Sequence, residues 1–192
     1  MFAKLSAVGI VMVGALVGGC GSSSKKTAEP VAAKDPAHDP AEITKAQTQF
    51  AGLKKMCDDS ADARAQRQAA KPLYERLGGR DAIKAVVTDF VAAKDADPIM
   101  KPTMAGVDKA QFIEHLTDFL SMAMGGPEKY TGKDLPSAHA KLNLTDVHFM
   151  AAGAALTSIM QKDKVPEPEQ QEVVCDLVAA HDQVIVPATA SN

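Results

Sequence analysis

The sequence contains no tryptophan, and its aromatic content is only 4%. Hydrophobic residues nevertheless make up 46% of the 192 residues, so alanine, leucine, valine and methionine must fill most of the core. No stretch alternates between apolar and polar residues for long enough to predict a β-strand. Apolar residues recur instead at spacings of three and four, as in amphipathic helices. The sequence therefore predicts an all-α fold without internal repeats.

Basic residues are not in excess either. The formal net charge is −3, and no basic cluster follows the N-terminal segment. Nucleic-acid binding therefore has no electrostatic basis in this sequence. The carboxylates form no close pair suited to acid–base catalysis, and no Ser/His/Asp arrangement is apparent. The pattern of polar residues thus indicates no particular class of enzyme.

Cysteine occurs only three times, and Cys20 belongs to an export signal. Lys4 provides the positive start, and residues 5–17 form an apolar run that is short for a membrane span. The sequence LVGGC that ends at Cys20 resembles the lipobox of bacterial lipoproteins, in which the cysteine is lipidated. The alternative is an ordinary secretory signal with an incidental cysteine. Either way we expect an exported protein, and a lipid on Cys20 would anchor it to a membrane, facing the periplasm or the cell surface.

The remaining cysteines, Cys57 and Cys175, form an even pair. Disulfides persist in exported proteins, so we expect a Cys57–Cys175 bridge. Two buried free thiols are the alternative.

The chain divides into five segments by composition. Residues 1–20 are the signal, and residues 21–40 are too polar to fold and predict a flexible tether. Residues 41–70 predict a helical extension: residues 41–57 carry one apolar stripe, and residues 58–70 suit a helix or a linker. Residues 71–187 form the compact domain, and residues 188–192 are a polar tail.

Five helices are predicted in the compact domain. A short helix ends at Gly78-Gly79, a second begins near Asp81 and ends at about residues 95–97, and Asp108 caps a third that reaches Met124. Two more follow, one capped by Thr145 or Asp146 and one opened by Pro166. One face of the third helix is predicted to pack in the core; it consists of Phe112, Leu116, Phe119, Leu120 and Ala123. Four polar residues lie on the opposite face: Glu114, Thr117, Asp118 and Ser121.

A long loop, residues 125–145, separates the third and fourth helices. Its glycines and prolines forbid one continuous helix, and His139 lies near its end. A loop of this length inside a compact domain is usually functional.

Three stretches of this domain carry a family resemblance. LYERLGGRDAIKAVVTDF (residues 73–90), GGPEKYTG (residues 125–132) and AHAKLNLTDVHF (residues 138–149) resemble a group I truncated hemoglobin. The similarity runs from about residue 72 to residue 186 and includes both glycine pairs. It implies a two-over-two helical sandwich around heme b, preceded here by the helical extension.

The resemblance also implies roles for two histidines. His139 matches the proximal histidine, whose neutral imidazole binds heme iron. His115 matches the position on the distal helix where some cyanobacterial members carry a histidine that binds iron as sixth ligand. Heme attachment of the c type is excluded because the sequence has no Cys-x-x-Cys-His motif.

The distal side departs from the family pattern. Val91 occupies the position of a tyrosine that hydrogen-bonds bound oxygen, and Phe112 and Leu116 replace polar residues. Met104 stands for a phenylalanine that packs on the heme, and Phe119 completes the expected apolar contact. His115 is then the only expected distal hydrogen-bond donor.

Other polar and sulfur-containing residues receive weaker assignments. His181 is expected at the heme edge or in the core with a backbone partner, whereas His148 and His38 are expected to be solvated. Tyr130 and Lys133 could reach a heme propionate. The methionines are interpreted as flexible filling around the cofactor; they are Met100, Met104, Met122 and Met124.

Three functions are compatible with this sequence. The first is a monomeric protein that binds oxygen, nitric oxide or carbon monoxide at heme iron. The second is a periplasmic heme redox protein, for electron transfer or for detoxification of nitric oxide or peroxide, which would need an external electron donor. The third is a structural globin-fold domain without heme. A heme-binding protein is favoured over a dedicated enzyme.

Overall fold

The computed structural model describes residues 35–186, which fold into eight α-helices without a β-strand. The helices are α1 (Pro40–Asp59), α2 (Ala61–Ala70), α3 (Leu73–Arg76), α4 (Gly79–Ala96), α5 (Lys109–Ala123), α6 (Leu135–His139), α7 (Asp146–Lys162) and α8 (Glu167–Val184). None of these helices is long and apolar enough to cross a membrane. The predicted signal with Cys20, most of the predicted tether and the polar tail lie outside the described residues.

Side-chain caps explain where several helices begin. Asp39 accepts a hydrogen bond from the Ala41 amide at the start of α1, where Pro40 occupies the first turn. Asp108 accepts one from the Gln111 amide at the start of α5. These two starts agree with the sequence prediction because both caps are local. The second helix of the domain differs, since α4 begins at Gly79 and Asp81 lies within its first turn.

Helices end at both glycine pairs, where Gly78, Gly79 and Gly125 adopt left-handed backbone conformations. Gly78 and Gly79 have φ angles of 99° and 78°, which separate α3 from α4. After α5, Gly125 has a φ angle of 89°. Its amide donates to the Met122 carbonyl at 3.1 Å, and the Gly126 amide donates to the Ser121 carbonyl at 2.8 Å. This is a Schellman motif, and it closes α5 just before the long segment that carries His139.

Two helix pairs form the body of the domain. Helix α4 packs against α5 and α7 against α8, and contacts between α4 and α7 join the pairs into a two-over-two sandwich. The core between them is aliphatic and rich in sulfur; it consists of Leu73, Ile83, Val87, Val91, Met104, Met124, Leu156, Met160 and Val173. Leucine, valine and methionine thus do fill the space that few aromatic residues are available to occupy, with one isoleucine and, contrary to expectation, no alanine in this cluster.

The packed face of α5 is not the one predicted. Thr117 and Ser121 have no exposed surface, whereas Phe112 and Leu116 are only partly buried. The polar side turns towards α4, where Arg80 pairs with Glu114 and Asp118, both at 2.8 Å. The small side chains of Thr117 and Ser121 fit between the helices, and charges from α4 satisfy the acids. Four residues of the predicted core face instead line the cavity described below, whereas Ala123 is exposed.

The helical extension is docked on the domain. Helix α1 contacts α7 and α8, and a disulfide joins Cys57 of α1 to Cys175 of α8, with 5.4 Å between their Cα atoms. This disulfide is the one that the sequence predicted. Elsewhere on α1, the Phe50 ring stacks on the His181 ring, with 3.9 Å between their centroids. It meets the Phe149 ring edge-on, with 5.7 Å between centroids.

The segment before α1 is also part of the fold. Residues 36–38 form a 3₁₀ turn whose Ala37 carbonyl accepts a hydrogen bond from the Thr145 hydroxyl. The Nε2 atom of His38 lies 3.0 Å from the Asn143 carbonyl oxygen. Residues 35–40 therefore belong to the folded region rather than to the flexible tether predicted up to residue 40. This difference arises because their partners lie more than a hundred residues further along the chain.

Candidate functional site

A cavity of about 550 Å³ lies between the α4–α5 pair and helices α6, α7 and α8. Its wall is mainly apolar, with contributions from Phe112, Leu116 and Phe119 on α5 and from Leu177 and Val184 on α8. The volume lies in the range of small-molecule and cofactor sites. A few polar side chains reach this apolar surface, and their chemistry decides what the cavity can hold.

His139 is the first of these polar side chains. It ends α6, a short helix that interrupts the predicted loop and that Asp134 caps by accepting a hydrogen bond from the Ser137 amide at 2.7 Å. The His139 Nδ1 atom lies 2.7 Å from the Leu135 carbonyl oxygen. Since a carbonyl can only accept, Nδ1 carries a proton, and in the neutral imidazole the lone pair is then on Nε2. Nε2 is therefore the atom through which His139 can bind a metal.

His115 lines the same cavity from a different helix. It lies on α5, one turn after Phe112, and no hydrogen bond of its ring is found within residues 35–186. Tyr130 meets it edge-on, with the ring centroids 6.3 Å apart. Helix α5 packs on α4, whereas α6 with His139 packs on α8. The cavity is therefore flanked by His115 from α5 and by His139 from α6, and His148 of α7 also lines it.

Most of the apolar residues predicted for the site do line the cavity. Phe112, Leu116, Phe119 and Met104 are all in its wall, and Met104 is only 6% exposed. Val91 is the exception: it is buried in the core and not among the lining residues. Its short side chain packs in the core of the domain and does not reach the cavity.

The methionines behave differently from one another. Met100 lines the cavity and is buried, and Met124 is buried in the core, in keeping with a filling role. Met122, by contrast, is 42% exposed, so its interpretation as filling around a cofactor was wrong. It lies on the outer side of the last turn of α5.

Tyr130 and Lys133 both reach the cavity wall from the segment after α5. The Tyr130 hydroxyl donates to the Lys133 carbonyl at 2.7 Å, and its ring packs edge-on against Phe119 at 5.2 Å. Burial raises the pKa of the Tyr130 hydroxyl. Both residues thus line the cavity, and their contact with a heme propionate stays a prediction.

His148 is not solvated, contrary to prediction, whereas His38 is exposed, as predicted. His148 is buried in the first turn of α7, where its Nδ1 accepts a hydrogen bond from the Thr145 amide at 3.1 Å and completes a capping box. Burial lowers the pKa of its imidazole. The His38 ring packs edge-on against it at 5.5 Å. His38 Nδ1 donates a hydrogen bond to the Asp35 carboxylate at 2.7 Å, which raises the pKa of His38.

His181 has carboxylate partners rather than the expected backbone partner. Its Nε2 lies 2.9 Å from Asp146 and its Nδ1 lies 2.8 Å from Asp182. It is not part of the cavity wall, because it packs between Phe50 and Phe149 where α1 docks. The sequence could not show this, since the helix that covers His181 comes from the extension.

Lys94 lines the cavity and was not predicted. It lies on α4, three residues after Val91 and four after Phe90, so it continues the apolar face of that helix. Its Nζ atom is 5.8 Å from the ring centroids of both Phe90 and Phe112. A lysine in register with an apolar stripe is a signal that the sequence does contain.

Known proteins share the sequence features of this domain. The bacterial-like globin family model matches residues 72–185. A group 1 truncated hemoglobin of Tetrahymena pyriformis is 40% identical over 79 residues, which are 41% of this chain and 65% of that relative, slightly less than two thirds. One of Nostoc sp. (strain MUN 8820) is 36% identical over 88 residues, which are 46% of this chain and 75% of the relative.

Solved structures agree with the sequence comparisons. Truncated hemoglobin of Tetrahymena pyriformis in its Fe(III) form superposes with a TM-score of 0.56 at 29% identity, covering 60% of this chain and 98% of that one. The 2/2 hemoglobin of Synechococcus sp. PCC 7002, solved in the cyanomet state with covalently attached heme, gives 0.56 at 31% identity, covering 59% and 98%. The chain therefore belongs to the bacterial-like globins, and within them to the group 1 truncated hemoglobins.

Proposed function

We propose that the cavity holds heme b and that His139 binds its iron through Nε2. The observation that carries this proposal is the 2.7 Å hydrogen bond between His139 Nδ1 and the Leu135 carbonyl. It fixes the tautomer in which Nε2 is the ligand atom, and it orients the ring from within the same short helix. Such a hydrogen bond also makes a histidine a more basic ligand.

The rest of the cavity fits a large apolar cofactor. Its volume of about 550 Å³ and its wall of leucine, phenylalanine and methionine suit a flat hydrophobic ring. Tyr130 and Lys133 supply polar groups in the same wall, and a lysine ammonium suits a carboxylate of the cofactor. No covalent attachment of the c type is available, so the heme is of the b type.

Heme iron, when bound, supplies a reversible site for oxygen, nitric oxide or carbon monoxide. Phe112 and Leu116 exclude water from the α5 side of this site, because both are part of the cavity wall. His115, on the same helix, offers a ring nitrogen without a hydrogen-bond partner among residues 35–186. It can donate a proton to a bound ligand or itself serve as the second axial ligand.

Heme titration of a His139→Ala variant tests the proximal assignment. The purified wild-type protein is expected to bind one equivalent of heme with an intense Soret absorption, and the variant to bind it at least roughly tenfold more weakly. Helix α6 is mostly exposed, so the heme-free variant should unfold at the same temperature as wild type. Equal heme affinity in the two proteins would refute the assignment, and no binding by wild type would favour a structural role without heme.

Electron transfer is the second candidate function, and the placement of His115 favours it. His115 on α5 and His139 on α6 line the same cavity from helices that pack on different neighbours, an arrangement that suits iron with two axial imidazoles. The ferrous protein should then be low spin, and His115→Ala should convert it to high spin. An unchanged spectrum in the variant would rule out coordination by His115. The rates of oxygen dissociation and of autoxidation then distinguish a gas-binding protein from an electron-transfer protein.

We also propose that the protein is exported and anchored by a lipid on Cys20. Lys4, residues 5–17 and the LVGGC sequence support this proposal. The Cys57–Cys175 disulfide supports an oxidising compartment independently. Metabolic labelling with a fatty acid, lost in Cys20→Ala, is the expected result. A soluble exported protein with unlabelled Cys20 would contradict the anchor.

A further inference from the structure

Lys94 is the one cationic side chain that α4 directs towards the cavity. The buried residues of this helix include Val87 and Val91, and Lys94 follows Val91 by three residues on the same side. Side chains of a helix lean towards its N-terminus, so Lys94 extends back over the preceding turn. The 5.8 Å distance from its Nζ to the Phe90 ring centroid agrees with this direction.

The charge of Lys94 has no acidic partner within residues 35–186. Some other lysines of the domain are paired, for example Lys84 with Glu114 and Lys162 with Asp89. The Lys94 ammonium lies near the rings of Phe90 and Phe112, and its charge adds to burial in lowering the pKa of His148 on the same cavity wall. Desolvation lowers the pKa of the ammonium group itself. Ring faces attract a cation but replace neither water nor a carboxylate. An unpaired ammonium in an apolar wall is therefore available to an anion inside the cavity.

The position of Lys94 places that charge on the α4–α5 side. Its ammonium lies against Phe112, which precedes His115 by one helical turn. His139, by contrast, comes from α6, which packs on α8. Lys94 therefore reaches the side of the cavity where the family resemblance implied a tyrosine hydroxyl at position 91, which Val91 cannot supply.

We propose that Lys94 makes the α4–α5 side of the cavity a binding site for small inorganic anions, of the class of azide or nitrite, at heme iron. This inference rests on the proposed function. Lys94 donates a charge-assisted hydrogen bond to the anion, whereas a neutral ligand such as carbon monoxide gains little from it. The protein is thus selective for anions although its cavity wall is apolar.

The test compares ligand affinities of heme-loaded proteins in a His115→Ala background, so that His115 does not compete. Lys94→Met should lower the azide affinity of the ferric protein by at least roughly tenfold, with the carbon monoxide affinity of the ferrous protein changed less than about threefold. Lys94→Arg should retain most of the azide affinity. Lys101→Met is the control, since it removes an exposed lysine that does not line the cavity and should leave azide binding unchanged.

A second measurement needs no heme. Because Lys94→Met removes an uncompensated charge, the heme-free variant should unfold at a higher temperature than heme-free wild type. A lower unfolding temperature would overturn the proposal, since Lys94 would then be a stabilising part of the wall. Unchanged azide affinity with weakened heme binding would also overturn it, because Lys94 would pair with a heme carboxylate. Wild-type protein that binds no heme refutes the proposed function itself.

Discussion

Reduction of the Cys57–Cys175 disulfide is expected to lower the free energy of unfolding by about 3 to 5 kcal/mol. The bridge joins residues separated by 118 positions, so it closes most of the described chain into one loop. For a loop of that length the chain-entropy relation gives roughly 4.9 kcal/mol at 25 °C. Both cysteines are almost fully buried between α1 and α8, so their packing adds to the effect.

Urea unfolding of oxidised and reduced protein, followed by circular dichroism, measures this difference. The double variant Cys57→Ala/Cys175→Ala is the control, and its unfolding should not respond to reductant. Equal free energies for the oxidised and reduced proteins would refute the loop argument. A two-step transition in which only α1 melts early would also contradict it, because the bridge would then stabilise the extension alone.

Two further predictions concern the packing of the domain. Glu172 is a buried carboxylate that pairs with Arg67 and Arg76, so Glu172→Gln should cost about 1 to 3 kcal/mol in urea unfolding, because Arg67 loses its acid whereas Arg76 keeps Glu169; a loss below about 0.5 kcal/mol would contradict this account. A Cβ at Gly126 would lie 2.7 Å from the Ser121 carbonyl oxygen, so Gly126→Ala should cost roughly 2 kcal/mol or more. The control Gly52→Ala has open space within α1 and should gain about 0.5 to 1 kcal/mol, and equal effects at the two glycines would refute the steric argument.

Features that depend on neighbouring residues were predictable from the sequence. The starts of α1 and α5 follow from Asp39 and Asp108, because a capping side chain bonds an amide two or three residues away. The ends at Gly78 and Gly125 follow from the left-handed backbone that glycine accepts. The all-α class and the resemblance to truncated hemoglobins were likewise confirmed, and the latter directed attention to His139.

Features that depend on distant residues were not predictable in this way. Thr117 and Ser121 are buried because Arg80, far away in the chain, pairs with the acids beside them. His148 is buried because the residues before α1 fold back onto the start of α7. Helical periodicity identifies the apolar side of a helix, but it does not say whether that side meets another helix or a cavity.

By itself the sequence determined the helical class, the order of the helices and, through the resemblance, the histidine most suited to bind iron. Only the tertiary structure decided which groups surround that histidine. It fixed the His139 tautomer through Leu135, and it brought Lys94 rather than Val91 to the cavity wall. The physical reason is that caps and turns are set by bonds within a few residues, whereas the polarity of a cavity is set by side chains from helices that meet only in the folded chain.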